Sequence, residues 1–191
     1  MGGGTSGNLI GGTTPQTRNL ISGNGRNGVQ LDTSGDNIIQ GNFIGTNISG
    51  TADLGNSGAG IGIFQEENNQ VGGTVSGAGN LISGNDTNGI ELNGVAAINN
   101  LIQGNWIGTA SNGNTPLGNT QSGILVLNNA NNNTIGGIEA GNIIAFNNAD
   151  GVTVESGEGN AILSNSIFDN GLSFADIGID LNNDGTSIND F

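Results

Sequence analysis

The 191-residue sequence predicts an all-β solenoid, in which the chain winds in coils stacked along one axis. Three observations predict this fold: 38 residues are Gly and 34 are Asn, 23 are Ile, and short apolar segments recur at two nested periods. Gly and Asn are poor helix formers that tolerate turns, whereas Ile favours strands. Such a chain forms short strands separated by turns.

The longer of the two periods is about 62 residues. The segment from Asn19 to Asn24 recurs from Asn80 to Asn85 and, more loosely, from Asn142 to Asn147, in steps of 61 and 62 residues. A second segment follows the same rhythm and begins at Asn37, Asn100 and Asn160. The chain therefore contains three copies of one unit.

The shorter period appears in a Gly-apolar-x-apolar pattern, which occurs six times with spacings from 27 to 34 residues. The copies begin at Gly28, Gly60, Gly89, Gly123, Gly151 and Gly178. Two further apolar segments of the Asn-x-Ile type lie between successive copies. We therefore predict about five to six coils of about 30 residues, each with a first, a second and a third strand, and two coils in each unit.

Alternation along these strands predicts a core of stacked, mostly β-branched side chains. The predicted inward residues are Val29, Leu31, Ile61, Ile63, Ile90, Leu92, Val152, Val154, Ile179 and Leu181 on the first strands; Ile39, Val71, Ile102, Ile135 and Ile162 on the second; and Ile21, Ile44, Ile82, Ile107, Ile144 and Ile167 on the third.

Asn residues recur at the ends of the strands, where the chain must turn sharply. Asn tolerates the left-handed backbone region, and its amide can bond to an equivalent amide one coil away. We therefore predict an asparagine ladder at the corners. The corner residues are Asn24, Asn42, Asn85, Asn105, Asn147 and Asn165.

The combined pattern Asn-x-Ile-x-Gly-Asn-x-Ile-Gly with Gly-Ile-x-Leu resembles the right-handed parallel β-helix repeats of large bacterial secreted and cell-surface proteins, within the pectate-lyase-like superfold. The resemblance covers roughly residues 8–185. It implies a right-handed parallel β-helix and an extracellular or cell-surface location. It implies no single function, because this superfold includes lyases, hydrolases, epimerases, tailspikes, adhesins and inert stalks.

Composition excludes several classes of function. The chain lacks Cys, His, Lys and Tyr, so disulfides, thiolate nucleophiles, imidazole bases and zinc-finger-like sites are excluded. A net charge of −14 with two arginines disfavours nucleic acid and anionic membranes. No apolar run approaches the roughly 18 residues of a membrane span, and the start lacks the features of a signal peptide.

We expect residues 1–191 to form one domain. Residues 1–7 are a Gly-rich N-terminal edge, typical of an added or cut terminus. Three longer loops are predicted at residues 46–60, 109–123 and 168–178.

No catalytic residue is predicted. Hydrolases of the superfold need two or three carboxylates about 5–9.5 Å apart. The outward residues at the centres of the first strands are Gln30, Gly62, Glu91, Leu125, Thr153 and Asp180. The two acids among them, Glu91 and Asp180, lie three coils apart, or about 14 Å. Arg18 and Arg26 have no accompanying cluster of acids, so we interpret both as solvated.

No cofactor is predicted except a candidate calcium ion near the C-terminus. Asp180, Asn182 and Asp184, followed by Gly185, match the opening of an EF-hand-type calcium loop. Position twelve of the loop is Phe191 instead of Glu, and Asp190 would be a ligand only in a different geometry. A plain acidic turn is the alternative.

Apolar residues beside the inward Ile of the third strands predict a stripe along the rod. Its members are Leu20, Phe43, Leu81, Trp106 and Ile143. An exposed stripe would be a surface for a lateral partner or for sugar stacking. The long loops after two of these strands favour the other interpretation, in which they cover the stripe.

The sequence therefore favours a non-catalytic, extracellular structural or adhesive segment of a bacterial surface or secreted protein. Two alternatives remain: a subunit of a filament that stacks end to end, and a module that binds or degrades polysaccharide. Expected partners are a second copy or flanking domains at the solenoid ends, and carbohydrate.

Overall fold

The structure is a computed structural model that describes residues 5–32, 35–173 and 175–182. In these residues, eighteen short strands form six coils of three strands. The predicted all-β solenoid, with strands paired in parallel, is confirmed. Within the same ranges, no helix combines the length and the hydropathy needed to cross a membrane.

The strands follow one another in chain order, three to a coil. Coils 1 to 3 contain β1 (Leu9–Gly11), β2 (Leu20–Ile21) and β3 (Val29–Asp32); β4 (Ile38–Gln40), β5 (Phe43–Ile44) and β6 (Ile61–Phe64); and β7 (Gln70–Gly72), β8 (Leu81–Ile82) and β9 (Ile90–Asn93). Coils 4 to 6 contain β10 (Leu101–Gln103), β11 (Trp106–Ile107) and β12 (Ile124–Leu127); β13 (Thr134–Gly136), β14 (Ile143–Ala145) and β15 (Val152–Val154); and β16 (Ala161–Leu163), β17 (Ser166–Phe168) and β18 (Ile179–Leu181).

Each strand pairs in parallel with its equivalents in the adjacent coils, which gives three six-stranded sheets. Sheet I contains the first strands of the sequence pattern, sheet II the second strands and sheet III the third. Each sheet is in register: Ile61 of β6 pairs with Ile90 of β9, and Ile44 of β5 pairs with Ile82 of β8. At about 4.8 Å per strand, the first and last coils lie about 24 Å apart.

Two kinds of coil alternate, and this alternation produces the period of about 62 residues. In coils 2, 4 and 6 the corner from sheet II to sheet III has two residues, and a long connection follows sheet III. In coils 1, 3 and 5 the corner is longer and the following connection is short. The long connections contain the predicted loops 46–60 and 109–123, whereas the third begins one residue later than predicted because Phe168 belongs to β17.

The core is a set of Ile, Val and Leu columns inside the three sheets. Ile39, Ile44 and Ile61 are fully buried, like their equivalents in the middle coils. In coil 6, however, Ile179 is 40% exposed and Leu181 52% exposed. In the described chain these two residues have a neighbouring coil on one side only, which leaves part of their surface uncovered.

The corners need a residue that tolerates the left-handed backbone region, Gly or Asn, and the Asn is not the one that adopts it. The six predicted corner Asn residues have no positive φ. Instead, the residue immediately before the Asn adopts it: φ is 68° at Gly41, 67° at Gly104 and 57° at Ser164. The turn is therefore made by the residue before the Asn, and the Asn side chain is free to form the ladder.

Candidate ligand groove on the third sheet

The predicted stripe is a continuous stack on the outer face of sheet III. The register pairs Leu20 with Phe43, Phe43 with Leu81, Leu81 with Trp106, and Trp106 with Ile143. Because each pair lies on adjacent parallel strands, neighbouring side chains are separated by about 4.8 Å along the axis.

The long loops cover the stripe only in part. The tips of loops 46–60 and 109–123 meet, where the Ser111 N–H donates to the Gly50 carbonyl at 2.8 Å and the Ser111 hydroxyl donates to the Ser49 carbonyl at 2.8 Å. Leu81 lies beneath Gly50 and is 2% exposed, whereas Trp106 is 37% exposed. Both expectations for the stripe thus describe part of it, since its centre is covered and its tryptophan faces solvent.

A groove of about 710 Å³ runs along this stripe and is called the ligand groove below. Its floor contains Phe43, Leu81 and Trp106. One wall contains Ile48, Ser49 and Ser111 from the long loops, and the other contains residues 73–77, from the corner between β7 and β8. The volume lies within the 300–1,000 Å³ range that is common for ligand sites.

Arg18 closes the N-terminal end of the ligand groove. A single 3₁₀ turn at Pro15–Thr17, with its capping box at Thr14, places Arg18 directly before β2. Its guanidinium carbon lies 3.9 Å from the centroid of the Phe43 ring, and its Nε donates to the Gly41 carbonyl at 3.1 Å. This cation–π contact and hydrogen bond fix the guanidinium at the groove.

Sequence reasoning missed this role of Arg18. Arg18 and Phe43 are far apart in the chain, so the sequence does not show their contact directly. It becomes apparent only when the sequences of coils 1 and 2 are aligned one above the other. Arg26, by contrast, lies on an exposed turn and does not line the groove. Glu139 lies at the opposite end from Arg18.

Trp106 is the principal ring that the ligand groove offers to solvent. A Cβ placed on Gly113 would be 3.9 Å from the indole, so the second loop tip lies against one part of the ring. No residue in the described ranges accepts a hydrogen bond from the indole N–H. The side chain therefore combines a partly exposed ring with a donor that remains for solvent or a ligand.

The asparagine ladder is confirmed, and the described chain contains three ladders of six residues. The first comprises Asn8, Asn37, Asn69, Asn100, Asn133 and Asn160; the second Asn19, Asn42, Asn80, Asn105, Asn142 and Asn165; and the third Asn24, Asn56, Asn85, Asn119, Asn147 and Asn170.

Every step of the ladders has the same chemistry. The backbone N–H and the Nδ2 of one Asn both donate to the Oδ1 of the Asn one coil further on, with Nδ2–Oδ1 distances from 2.7 to 3.1 Å. At Asn105, Nδ2 also donates to the Val71 carbonyl at 3.0 Å. Two donors and an oxygen with two bonds satisfy the buried amide completely.

The six predicted corner residues all belong to the second and third ladders. Sequence reasoning missed the first ladder, the second-ladder members Asn19, Asn80 and Asn142, and the third-ladder members Asn56, Asn119 and Asn170. The Asn of each Asn-x-Ile segment was the signal for the first ladder. Asn56 and Asn119 follow long loops, so their distance from the preceding strand concealed their equivalence to Asn24.

A further polar column, which sequence reasoning also missed, lies just before the strands of sheet I in coils 1, 3 and 5. The side-chain oxygens of Asn27, Asn88 and Asp150 accept hydrogen bonds from backbone N–H groups one coil further on, at 2.7 to 3.1 Å. Asp150 also accepts from the Thr153 hydroxyl, which bonds to that of Ser122. These hydrogen bonds give the buried Asp150 carboxylate a structural role.

The predicted calcium site is described only in part. Asp180 is buried on β18, where it pairs with Thr153, and Asn182 has a φ of 84° just after the strand. Asp184 and Asp190 lie outside the described residues. Among the residues that are described, no group of three or more acidic side chains is placed to hold a metal ion. The calcium site stays a prediction.

Glu91 and Asp180, both on sheet I, are separated as the coil count requires. The register runs from Glu91 through Leu125 and Thr153 to Asp180, so three strand spacings lie between the two carboxylates.

Comparison of the chain with models of protein families, with curated proteins and with solved structures found no match.

Proposed function

We propose that this chain is a non-catalytic structural and adhesive segment of an extracellular β-solenoid from a bacterial surface or secreted protein. The observation that carries the proposal is the ligand groove, an elongated surface with an exposed tryptophan on the side of a ladder-bonded rod. Large exposed apolar residues at a groove are typical of interaction sites.

The ladders support the structural part of the proposal. Each buried step adds hydrogen bonds between adjacent coils, and a bond of this kind contributes about 0.5–1.5 kcal/mol. These bonds repeat on three sides of the coil, around a core of fully buried Ile residues. A rod held together in this way can carry a lateral surface at a fixed distance from its point of attachment.

The residue types that the chain lacks and the positions of its charged side chains support the non-catalytic part of the proposal. The sequence has no His, Lys, Tyr or Cys. Glu91 and Asp180 are about 14 Å apart on the face of sheet I, beyond the separation that glycoside hydrolysis uses. The two arginines do not form a pair, since Arg18 is held on Phe43 and Arg26 is on a separate turn.

The test is adhesion together with localisation. Beads coated with the purified chain should be retained under flow on at least one surface in a panel of bacterial, plant and animal cells, and beads coated with the heat-denatured chain should not. An antibody against the chain should label intact producing cells. Absence of retention on every surface, or labelling that requires permeabilised cells, would contradict the proposal.

A further inference from the structure

We infer that the ligand groove binds an extended, uncharged polysaccharide that runs parallel to the solenoid axis. This inference rests on the proposed adhesive function and names the class of its ligand. It assigns binding and no cleavage to the groove on sheet III.

The direction and length of the ligand groove point to an extended polymer. Its lining starts at Arg18 in coil 1, passes Phe43 and Trp106, and reaches Glu139 in coil 5. Four coil spacings correspond to about 19 Å. An extended polysaccharide could therefore lie along the groove and contact several coils in turn.

The chemistry of the lining fits sugars better than it fits wholly apolar or wholly polar ligands. Trp106 offers a ring surface and a hydrogen-bond donor, while Ser49, Thr74 and Ser76 supply hydroxyl groups. A pyranose has an apolar C–H face and a rim of hydroxyls. The ring would pack against the C–H face, and the wall hydroxyls would bond to the rim.

Charge favours an uncharged chain. Arg18 and Glu139 are the charged side chains of the groove, and they lie at its opposite ends with neutral residues between them. The net charge of the protein is −14, so its field repels an acidic polymer. The Arg18 guanidinium is positioned by Phe43 to donate to hydroxyls at one end of the chain.

The strand pairing disfavours an extended peptide as the ligand. Peptides commonly bind by adding a strand to a free sheet edge. In the groove, the Phe43 N–H donates to Asn19, the Leu81 N–H to Asn42 and the Trp106 N–H to Asn80, so β5, β8 and β11 are paired on both sides. A peptide would have to bind through its side chains alone.

The single tryptophan of the chain makes the test direct, because intrinsic fluorescence reports on the groove. Cellohexaose, xylohexaose, mannohexaose and N-acetylchitohexaose are titrated into the protein, with calorimetry in parallel. At least one should give a saturable change in Trp106 emission. Its affinity should be unchanged in 0.5 M salt, because an uncharged ligand leaves no counterions to screen.

Matched variants locate the binding. By calorimetry, Trp106→Ala should weaken binding about tenfold or more, whereas Phe168→Ala, an exposed ring on the same sheet outside the groove, should leave it unchanged. Arg18→Ala should weaken binding, whereas Arg26→Ala, with the same change in charge, should not. Thermal melts verify that each variant is folded.

Three results would overturn the inference: no hexasaccharide binds at millimolar concentration, binding survives Trp106→Ala, or an apolar peptide changes Trp106 emission where every sugar fails. If beads adhere in the flow assay but no sugar binds, the polysaccharide inference fails and the adhesive function stands. If a sugar binds but no beads adhere, the adhesive function fails and the groove assignment stands.

Discussion

At the scale of the residue, the ladder asparagine depends on both of its neighbours. Asn105 is fully buried, and its amide bonds to Asn80 in the coil before and to Asn142 in the coil after. No shorter or apolar side chain supplies both an acceptor and two donors at this point. Asn is therefore required at this position for its hydrogen-bond donors and acceptor more than for its volume. This explains why Asn recurs at the same position in every coil.

We expect Asn105→Ala to lower the free energy of unfolding by about 2–4 kcal/mol, since the Asn80 N–H and Nδ2 lose their acceptor and the Val71 carbonyl loses a donor in a buried site. Urea denaturation measures the change. Asn114→Ala is the matched control, because Asn114 is exposed and its side chain forms no hydrogen bond in the described chain. Equal midpoints for the two variants would contradict the role of the ladder.

At the scale of the element, the two-residue corner between sheets II and III sets the direction of sheet III. Its first residue has a positive φ in coils 2, 4 and 6, where it is Gly41, Gly104 and Ser164. A Cβ on Gly104 would lie 2.5 Å from the Gly73 carbonyl oxygen. Glycine at this corner therefore relieves both backbone strain and a close approach of the adjacent coil.

Opposite changes at equivalent corners should have opposite effects. Gly104→Ala should destabilise the protein by more than 1 kcal/mol, because it adds a Cβ at positive φ against a carbonyl. Ser164→Gly should raise the unfolding temperature slightly or leave it unchanged, since it removes a side chain from a φ of 57°. Thermal denaturation followed by circular dichroism measures both. A stabilising Gly104→Ala would contradict this account of the corner.

The sequence predicted the coil, its three strands and most of the core, because inward Ile and corner Asn repeat in every coil. It did not predict which residue takes the left-handed backbone, since Gly and Asn are adjacent at the corners and either one tolerates it. The stripe from Leu20 to Ile143 and a cover from the long loops were predictable, but the extent of the cover was not. How far a loop such as 46–60 folds over Leu81 depends on contacts between loop tips that have no period in the sequence.

At the scale of the whole molecule, the alternation of two coil types couples neighbours in a fixed order. The Gly41 N–H of coil 2 donates to the Ala78 carbonyl of coil 3, and the Gly104 N–H of coil 4 donates equivalently to the Ala140 carbonyl of coil 5. The long corner of one coil thus completes the short corner of the coil before it. Because this pairing recurs at every second coil, it makes two coils the repeating unit of stability.

Deletion of two coils should therefore be tolerated, and deletion of one should not. Removal of residues 70–133 joins Asn69 to Thr134, so coil 2 meets coil 5 and Gly41 gains Ala140 in place of Ala78. Removal of residues 70–100 places coil 2 against coil 4, and the loops now in contact through Gly50 and Ser111 would lie one coil apart instead of two. Urea denaturation should show a cooperative transition for the first variant, with an m-value lower by about a third, because m scales with the surface exposed on unfolding. The one-coil variant should unfold at lower urea than the two-coil variant, despite its greater length, and the reverse order would show that the coils are interchangeable.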